Sequence, residues 1–190
     1  MKPRAARALA GASTAAPAAD GSTANPPPSL QGLPPAIGPH CALLVLGSFP
    51  GVASLQAQQY YGHPRNHFWP LVGRLLQLDL VAMPYAQRLA AAQARGLGLW
   101  DVYARCQRVG SLDADIRQAV LNDLQGLPQR APGLRVLAHN GGESARARRH
   151  TEALGLPVLR LPSSSPANAS WSFDRKLQAW RAAFQLAGLV

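Results

Sequence analysis

Lysine, cysteine and acidic side chains are scarce in this chain. Of its 190 residues, 19 are lysine or arginine and 9 are acidic. Only Lys2 and Lys176 are lysines, so arginine carries almost all of the formal net charge of +10. Such a surplus favours a polyanionic partner, above all nucleic acid. Genome base composition also raises arginine content, so charge alone does not decide the partner.

The low cysteine content excludes several classes of protein. Cys41 and Cys106 are the only cysteines, too few for a disulfide scaffold or for the thiolates of an iron–sulfur cluster. No run of about 18 apolar residues occurs, which excludes a transmembrane helix. The sequence therefore predicts no cofactor and no membrane association. Free thiols fit the reducing cytoplasm.

Residues 1–40 have little leucine or isoleucine and contain eight of the 17 prolines. Such a segment buries too little apolar surface to offset the entropy of ordering it. A targeting peptide is a weaker interpretation, because the basic start is not followed by an apolar core. We therefore predict a disordered tail over 1–40 and a single folded domain over 41–190.

Apolar runs alternate with helical patterns from Cys41 onward. The predicted strands are Ala42–Leu46, Leu97–Tyr103, Leu134–Ala138 and Pro157–Leu161. The predicted helices are His67–Gln77, Tyr85–Arg95, Asp113–Leu124, Glu143–Leu154 and one that begins near Ser172. This alternation predicts an α/β fold of three α/β/α layers, with a central, mainly parallel sheet flanked by helices.

Three of the predicted strands end in unusual sequences: Gly47–Gly51, Asn140–Gly142 and Leu161–Pro166. Singly, they could be a tight turn, a loop that enters a helix and a flexible linker. Ligands of parallel α/β sheets bind at the carboxyl ends of strands. Together, the three sequences therefore predict a binding site at that edge of the sheet.

In this order and spacing, the three sequences resemble those of the uracil-DNA glycosylase superfamily. The resemblance covers about residues 41–187. The segment Tyr60–Trp69, read with Gly47–Gly51, is most similar to the hypoxanthine (deoxyinosine) DNA glycosylase branch, and also resembles the mismatch-specific uracil/thymine branch. Leu99–Val102, followed by Gly110–Asp113, is likewise most similar to the hypoxanthine branch.

Two positions depart from the pattern of the superfamily. Phe49 stands where other branches carry an Asp or Asn that activates water, and Leu161 stands where uracil-specific enzymes begin the last motif with a catalytic His. The resemblance makes Asn66 the substitute, since the hypoxanthine branch is thought to depend on an asparagine here. Asn66 also suits the start of the helix at His67. Both roles stay open.

The resemblance assigns further roles. Asn140 would read the base, or else cap the following helix, and Tyr61 would stack on the flipped base, or else simply pack. The predicted base pocket comprises Gly47, Ser48, Phe49, Pro50, Tyr61 and His139. The predicted DNA-contacting residues are Ser163, Ser164, Ser165, Ala167 and Asn168.

The spacing of His63, His67 and His139 does not predict a metal site, because Pro64 disfavours a helix there and no carboxylate or cysteine completes a ligand set. Asp101 and Asp113 are interpreted as caps or arginine partners. The predicted function is a monomeric, monofunctional DNA glycosylase that excises deaminated bases, hypoxanthine first. A G·U/G·T mismatch-specific glycosylase and a catalytically silent lesion-binding module are the alternatives.

Overall fold

A computed structural model describes residues 29–190. In this range the strands are β1 Ser29–Gln31, β2 Leu43–Gly47, β3 Leu97–Asp101, β4 Tyr103–Gln107, β5 Arg117–Leu121, β6 Val136–Asn140 and β7 Val158–Leu161. The α-helices are α1 Val52–Ala57, α2 Phe68–Leu76, α3 Tyr85–Ala94, α4 Leu127–Arg130, α5 Arg148–Glu152 and α6 Phe173–Leu186. Short 3₁₀ turns lie at Asp113–Asp115 and Ser144–Ala147.

The central sheet has four parallel strands in the order β3-β2-β6-β7. Every residue of β2, β3 and β6 is buried. Continuous apolar runs are typical of parallel strands covered on both faces, which is why the sequence located these strands. The carboxyl ends of all four strands therefore lie at one edge of the sheet.

Alternate side chains of β2 point into two separate cores. Leu43 and Val45 pack with α2, α3 and α6, whereas Leu44 and Leu46 pack with α4 and the 3₁₀ turn at Ser144–Ala147. The three-layer α/β/α prediction is confirmed. The helices predicted at His67–Gln77 and Tyr85–Arg95 correspond to α2 and α3, and the last helix begins after Ser172, whose Oγ accepts a hydrogen bond from the Arg175 backbone N–H at 3.3 Å.

The helix predicted over Asp113–Leu124 is wrong. After the turn at Asp113–Asp115, residues Arg117–Leu121 form β5, which pairs antiparallel with β4. All five residues of β5 are exposed, so the helical spacing of apolar residues here does not mark a buried face. Pairing with β4 overrides the local pattern. The helix predicted over Glu143–Leu154 is instead a 3₁₀ turn followed by the short α5.

The predicted domain boundary at residue 40 is also wrong. Residues 29–31 form β1, which pairs with β4 and completes a three-stranded antiparallel sheet. Leu33 is buried in the core, and Ala36 exchanges two backbone hydrogen bonds with Leu99. These contacts order the segment despite its proline content. The part of the predicted tail at 1–28 lies outside the described residues.

No helix between residues 29 and 190 is long and apolar enough to cross a membrane.

Candidate functional site: a cavity at the strand ends

A cavity of about 410 Å³ opens at the carboxyl edge of the parallel sheet. We call it the strand-end cavity, because Gly47, Asp101, Asn140 and the loop after β7 contribute to its wall. Its lining includes the predicted residues Gly47, Ser48, Phe49, Pro50, Tyr61, Asn66, Asn140, Ser163, Ser164, Ser165, Ala167 and Asn168. The topology thus brings together residues that are more than 100 positions apart in the chain.

The turn after β2 is tied to two other parts of the wall. Ser48 Oγ donates a hydrogen bond of 2.6 Å to Asp113 Oδ1. The Arg108 guanidinium lies 5.1 Å from the centroid of the Phe49 ring and donates to the Pro50 carbonyl. Phe49 is itself buried. The motif is therefore a rigid wall, and the position of Phe49 offers no polar group to a water molecule.

Tyr61 lies against the strand-end cavity in an unusual backbone conformation. Its φ angle is +55°, a left-handed conformation that is uncommon for a non-glycine residue. The ring stacks on Phe68, with centroids 3.7 Å apart and planes 11° from parallel. The hydroxyl is buried and has no hydrogen-bond partner among residues 29–190. Burial is the main reason that the pKa of Tyr61 is raised, so the phenol is neutral.

Asn66 contacts the start of α2 and also lines the strand-end cavity. Its Oδ1 accepts a hydrogen bond of 2.9 Å from the Phe68 backbone N–H at the start of α2, and the residue lines the strand-end cavity. The amide nitrogen makes no hydrogen bond to any described residue within 3.5 Å. The contact with the Phe68 N–H fixes the orientation of the Asn66 carboxamide, because its oxygen must point toward the start of α2.

Asn140 is held by the loop that follows β7. Its Nδ2 donates to Ser164 Oγ at 2.9 Å, and the Ser164 backbone N–H donates to its Oδ1, also at 2.9 Å. Ser164 is fully buried, and its carbonyl accepts from the His67 backbone N–H at 3.0 Å. The Asn140 carboxamide therefore has one fixed orientation, with one N–H and one oxygen lone pair still free.

The serine-rich loop is a folded element. Asn168 Nδ2 donates to the Ser163 carbonyl at 3.1 Å, and the Ser165 backbone N–H donates to Ser163 Oγ at 3.2 Å. These hydrogen bonds argue against the flexible-linker interpretation. Ala167 is exposed at the rim of the strand-end cavity.

His139 does not line the strand-end cavity, and its assignment to the base pocket is wrong. Successive side chains of a strand point to opposite faces, so His139 points away from the face that Asn140 presents. Its ring is fully buried, with Nδ1 2.8 Å from Ser144 Oγ and Nε2 2.9 Å from Thr151 Oγ1. Burial, together with the charge of Arg148, lowers the pKa of His139 to about 4.

Asp101 and Asp113 line the strand-end cavity, which the sequence analysis missed. Neither carboxylate forms an ion pair with an arginine within the described residues, so the interpretation as arginine partners is wrong. Asp101 ends β3, and its side chain is almost fully buried. The sequence does indicate that Asp101 lies at this edge of the sheet, because it follows the apolar run Leu97–Trp100 just as the other motifs follow their strands.

Electrostatics distinguish Asp101 from an ordinary surface acid. Burial raises the pKa of the Asp101 carboxyl to about 7, and the negative charge of Asp113 adds to this effect. The positive charge of Arg108 acts in the opposite direction. Near neutral pH the cavity therefore contains a carboxyl that is partly protonated, beside two oriented carboxamides and a neutral phenol.

Comparisons with known proteins agree with this geometry. No family model matches the chain. A hypoxanthine DNA glycosylase of Methanosarcina barkeri is 38% identical over 155 residues, which is 82% of this chain and 98% of that protein. A hypoxanthine DNA glycosylase of Methanosarcina acetivorans is 36% identical, with the same coverage of both chains.

A solved structure is similar over the same region. It is a solution NMR structure from M. acetivorans that was provisionally assigned as a uracil DNA glycosylase. It superposes on this chain with a TM-score of 0.77 at 35% identity, and the aligned region covers 84% of this chain and 99% of that chain. The similarity thus extends over most of the chain.

Proposed function

The chain belongs to the hypoxanthine DNA glycosylase family of the uracil-DNA glycosylase superfamily, and we propose that its strand-end cavity excises hypoxanthine from DNA. As a DNA glycosylase it hydrolyses the N-glycosidic bond of a deaminated base during base excision repair. A base inside a duplex is inaccessible, so the nucleotide is flipped into a pocket first. The observation that carries the proposal is the convergence of the predicted site residues, other than His139, on one cavity.

Asn140 would read the flipped base. Deamination leaves a carbonyl beside a ring N–H, in hypoxanthine as in uracil, and a carboxamide can donate to the first and accept from the second. Adenine and cytosine present the reverse order of donor and acceptor. The two hydrogen bonds to Ser164 support this role, because they prevent the carboxamide from rotating to suit adenine or cytosine. Tyr61 would stack on the base, a contact worth about 1–3 kcal/mol.

Asn66 would position the attacking water. A carboxamide is not a strong base, but it can hold water in line with the glycosidic carbon, which is a large advantage when an oxocarbenium-like sugar forms. The Asn66 Oδ1 is already engaged by the Phe68 N–H. Its free amide end therefore supports a role in orienting water rather than in removing a proton from it.

The DNA strand would lie along the rim of the strand-end cavity. The hydroxyls of Ser163 and Ser165 accept hydrogen bonds from backbone N–H groups of the loop and keep their own hydrogens to donate. They suit contacts to phosphates, which position the strand without reading sequence. A neighbouring depression shares Asn66, Pro166 and Asn168 with the cavity and is also lined by Arg65 and Lys176. Lys176 is buried, but the exposed Arg65 guanidinium fits a contact to the phosphate next to the flipped nucleotide.

The enzyme would act as a monomer in the cytoplasm. One chain supplies the whole described wall of the strand-end cavity, so the site needs no second subunit. Cys41 and Cys106 are both buried free thiols, which fits a reducing compartment.

Base release from defined duplexes tests the proposal. Purified protein is incubated with duplexes that contain inosine, uracil or a G·T mismatch, and abasic sites are cleaved with alkali. We expect the strongest cleavage at inosine. Weaker cleavage is expected at uracil, which is a substrate at all because it presents the same carbonyl and N–H pair. Preferential cleavage at G·U or G·T would instead favour the mismatch-specific alternative. Tight binding to every lesion without cleavage would indicate the silent module.

A further inference from the structure

Two buried oxygens in the wall of the strand-end cavity have no hydrogen-bond partner in residues 29–190. They are Asp101 Oδ2 and the Tyr61 hydroxyl. Only 4% of Asp101 is exposed. A buried polar atom without a partner is costly, and most such atoms in folded proteins find one. Both residues line the strand-end cavity, so a polar ligand bound there would be the partner that the protein does not supply.

The neighbours of Asp101 leave its carboxyl free to act on such a ligand. The Asn122 side chain donates to the backbone carbonyl of Asp101, at 2.8 Å, and not to its carboxyl. Gly47 lies directly behind the carboxyl, and a Cβ at this position would collide with Oδ1. The fold thus presses the carboxyl against β2 without giving it a hydrogen bond.

Charged and titratable groups surround Asp101 on several sides. Asp113, in the 3₁₀ turn, disfavours the ionised form of Asp101, whereas Arg108, after β4, favours it. The charge of Asp101 in turn disfavours ionisation of the phenols Tyr60 and Tyr61. Burial raises the pKa of both phenols, so they are neutral. Asp113 and Arg108 are thus the two charges that face Asp101.

We propose that Asp101 is a further catalytic residue, which in its neutral form donates a hydrogen bond to the flipped base and gives up its proton as the base departs. This inference rests on the proposed function. Negative charge gathers on the base as its bond to the sugar breaks, so the hydrogen bond is stronger in the transition state than in the bound substrate.

The step balances as follows. The bond between C1′ of the sugar and the base nitrogen breaks, and its electron pair goes to the base. The Asp101 proton moves to an acceptor atom of the base, which leaves as neutral hypoxanthine. Water held by Asn66 adds to C1′ and loses a proton to the Asp101 carboxylate. The carboxyl is thereby restored for the next turnover.

The pH dependence of base release by the full-length enzyme tests this assignment. We expect the single-turnover rate on inosine DNA to be constant at low pH and to fall with rising pH around the midpoint of the Asp101 titration, near 7. In the Asp113→Asn variant the midpoint should move to lower pH, because one negative charge that opposes ionisation is lost. A purely structural role of either acid would not move the midpoint.

The Asp101→Asn variant tests the proton itself. The carboxamide can still donate a hydrogen bond but has no proton to release. We expect it to bind inosine DNA as the wild type does, to lose on the order of 10²-fold in single-turnover rate, and to lose the pH dependence. The matched control is Asp123→Asn, which removes an exposed acid paired with Arg130 at 3.8 Å and should leave rate and profile unchanged.

The outcomes separate this inference from the proposed function. A wild-type enzyme that releases no base from any lesion duplex would overturn both. Release at a pH-independent rate, or an Asp101→Asn rate equal to that of the wild type, would overturn only the role of Asp101. The wild-type and Asp113→Asn profiles decide the question even if Asp101→Asn does not fold.

Discussion

Asn140 and Ser164 are joined by two hydrogen bonds of 2.9 Å that run in opposite directions. The side chain of Asn140 donates to the serine hydroxyl, and the serine backbone donates to the side chain of Asn140. This reciprocal pair joins the end of β6 to the loop after β7, so the residue proposed to read the base also positions the loop proposed to contact the DNA strand. Variants of Asn140 must therefore be tested both for base excision and for the stability of the folded protein.

Asn140→Ala should lose excision of inosine and of uracil by a similar factor, because one carboxamide is proposed to read both lesions. It should also lose about 1–3 kcal/mol of stability, since the buried Ser164 N–H is left without a partner. Asn140→Asp retains an acceptor for that N–H, and should stay closer to the wild type in stability. Its carboxylate cannot donate to the base carbonyl, so excision should fall as far as in Asn140→Ala. Single-turnover assays and thermal melts measure both quantities, and wild-type excision by Asn140→Asp would refute the base-reading role.

Asn66→Ala should lower single-turnover excision by on the order of 10²-fold while DNA binding is retained, a loss of about 3 kcal/mol in transition-state stabilisation. Loss of the hydrogen bond to the Phe68 N–H should also destabilise the fold by about 1 kcal/mol. Asn66→Ser is the control for that second effect, because a serine hydroxyl can also begin a helix. If Asn66→Ser restores stability and excision together, water positioning by the carboxamide is the wrong explanation.

Phe49→Ala should weaken excision without abolishing it, because the ring packs in the wall and takes no part in proton transfer. The fold should lose about 3–5 kcal/mol, the usual cost of truncating a buried phenylalanine. Phe49→Asn places a carboxamide where the mismatch-specific branch has one, and should raise uracil excision relative to inosine. The ratio of the two single-turnover rates is the measurement. Complete loss of inosine excision in a folded Phe49→Ala protein would assign the ring a larger role.

His139 should make stability depend on pH. Its pKa is about 4 in the folded protein and 6.5 in the unfolded chain, so the unfolded chain binds more protons between these values. The free energy of unfolding should therefore fall as pH decreases from 6.5 to 4, by roughly 3 kcal/mol when complete.

Asp101 acts with the opposite sign over an overlapping range, because its pKa is raised from 3.8 to about 7. The test is accordingly the difference between the wild type and His139→Gln, from urea unfolding at pH 4 and pH 7. The wild type should lose more stability than the variant on acidification. Equal losses would mean that the buried imidazole is not the group that titrates.

Truncation at the amino terminus should show two distinct results. Deletion of residues 1–28 should leave the melting temperature nearly unchanged, and should slightly weaken DNA binding at low salt through the loss of Lys2, Arg4 and Arg7. Deletion of residues 1–40 should be strongly destabilising, because it also removes β1, the buried Leu33 and the backbone hydrogen bonds of Ala36. Thermal melts of the two proteins make the comparison, and equal melting temperatures would contradict it.

The parallel sheet was predictable because its signal is local. Leu43–Gly47 is a short apolar run, and β6 begins with the apolar residues Val136–Ala138. Both strands are buried on both faces, a pattern that few other elements produce. The antiparallel sheet was not predictable, because β1, β4 and β5 are stabilised by pairing between distant segments. Nothing in the sequence of Arg117–Leu121 shows that β4 will lie beside it.

The same distinction applies to the strand-end cavity. Asn66, Asn140 and the serine loop stand out because carboxamides and hydroxyls follow recognisable motifs. Asp101 was overlooked, since an isolated aspartate at the end of a strand has many ordinary roles. Only its burial, and the missing partner of Oδ2, distinguish it. His139 is next to Asn140 in the sequence, but the alternation of side chains along β6 points it to the opposite face of the sheet, so adjacency in the motif does not place it in the cavity.

The burial of Asp101 also has a consequence for the evolution and engineering of this enzyme. A carboxyl without a hydrogen bond, pressed against the backbone of β2, destabilises the native state whenever it is ionised. An apolar or neutral side chain at position 101 should therefore give a protein that melts at a higher temperature than the wild type above pH 7. Selection for thermostability alone would discard this acid, whereas selection for repair would retain it. The position is thus one at which robustness and activity conflict.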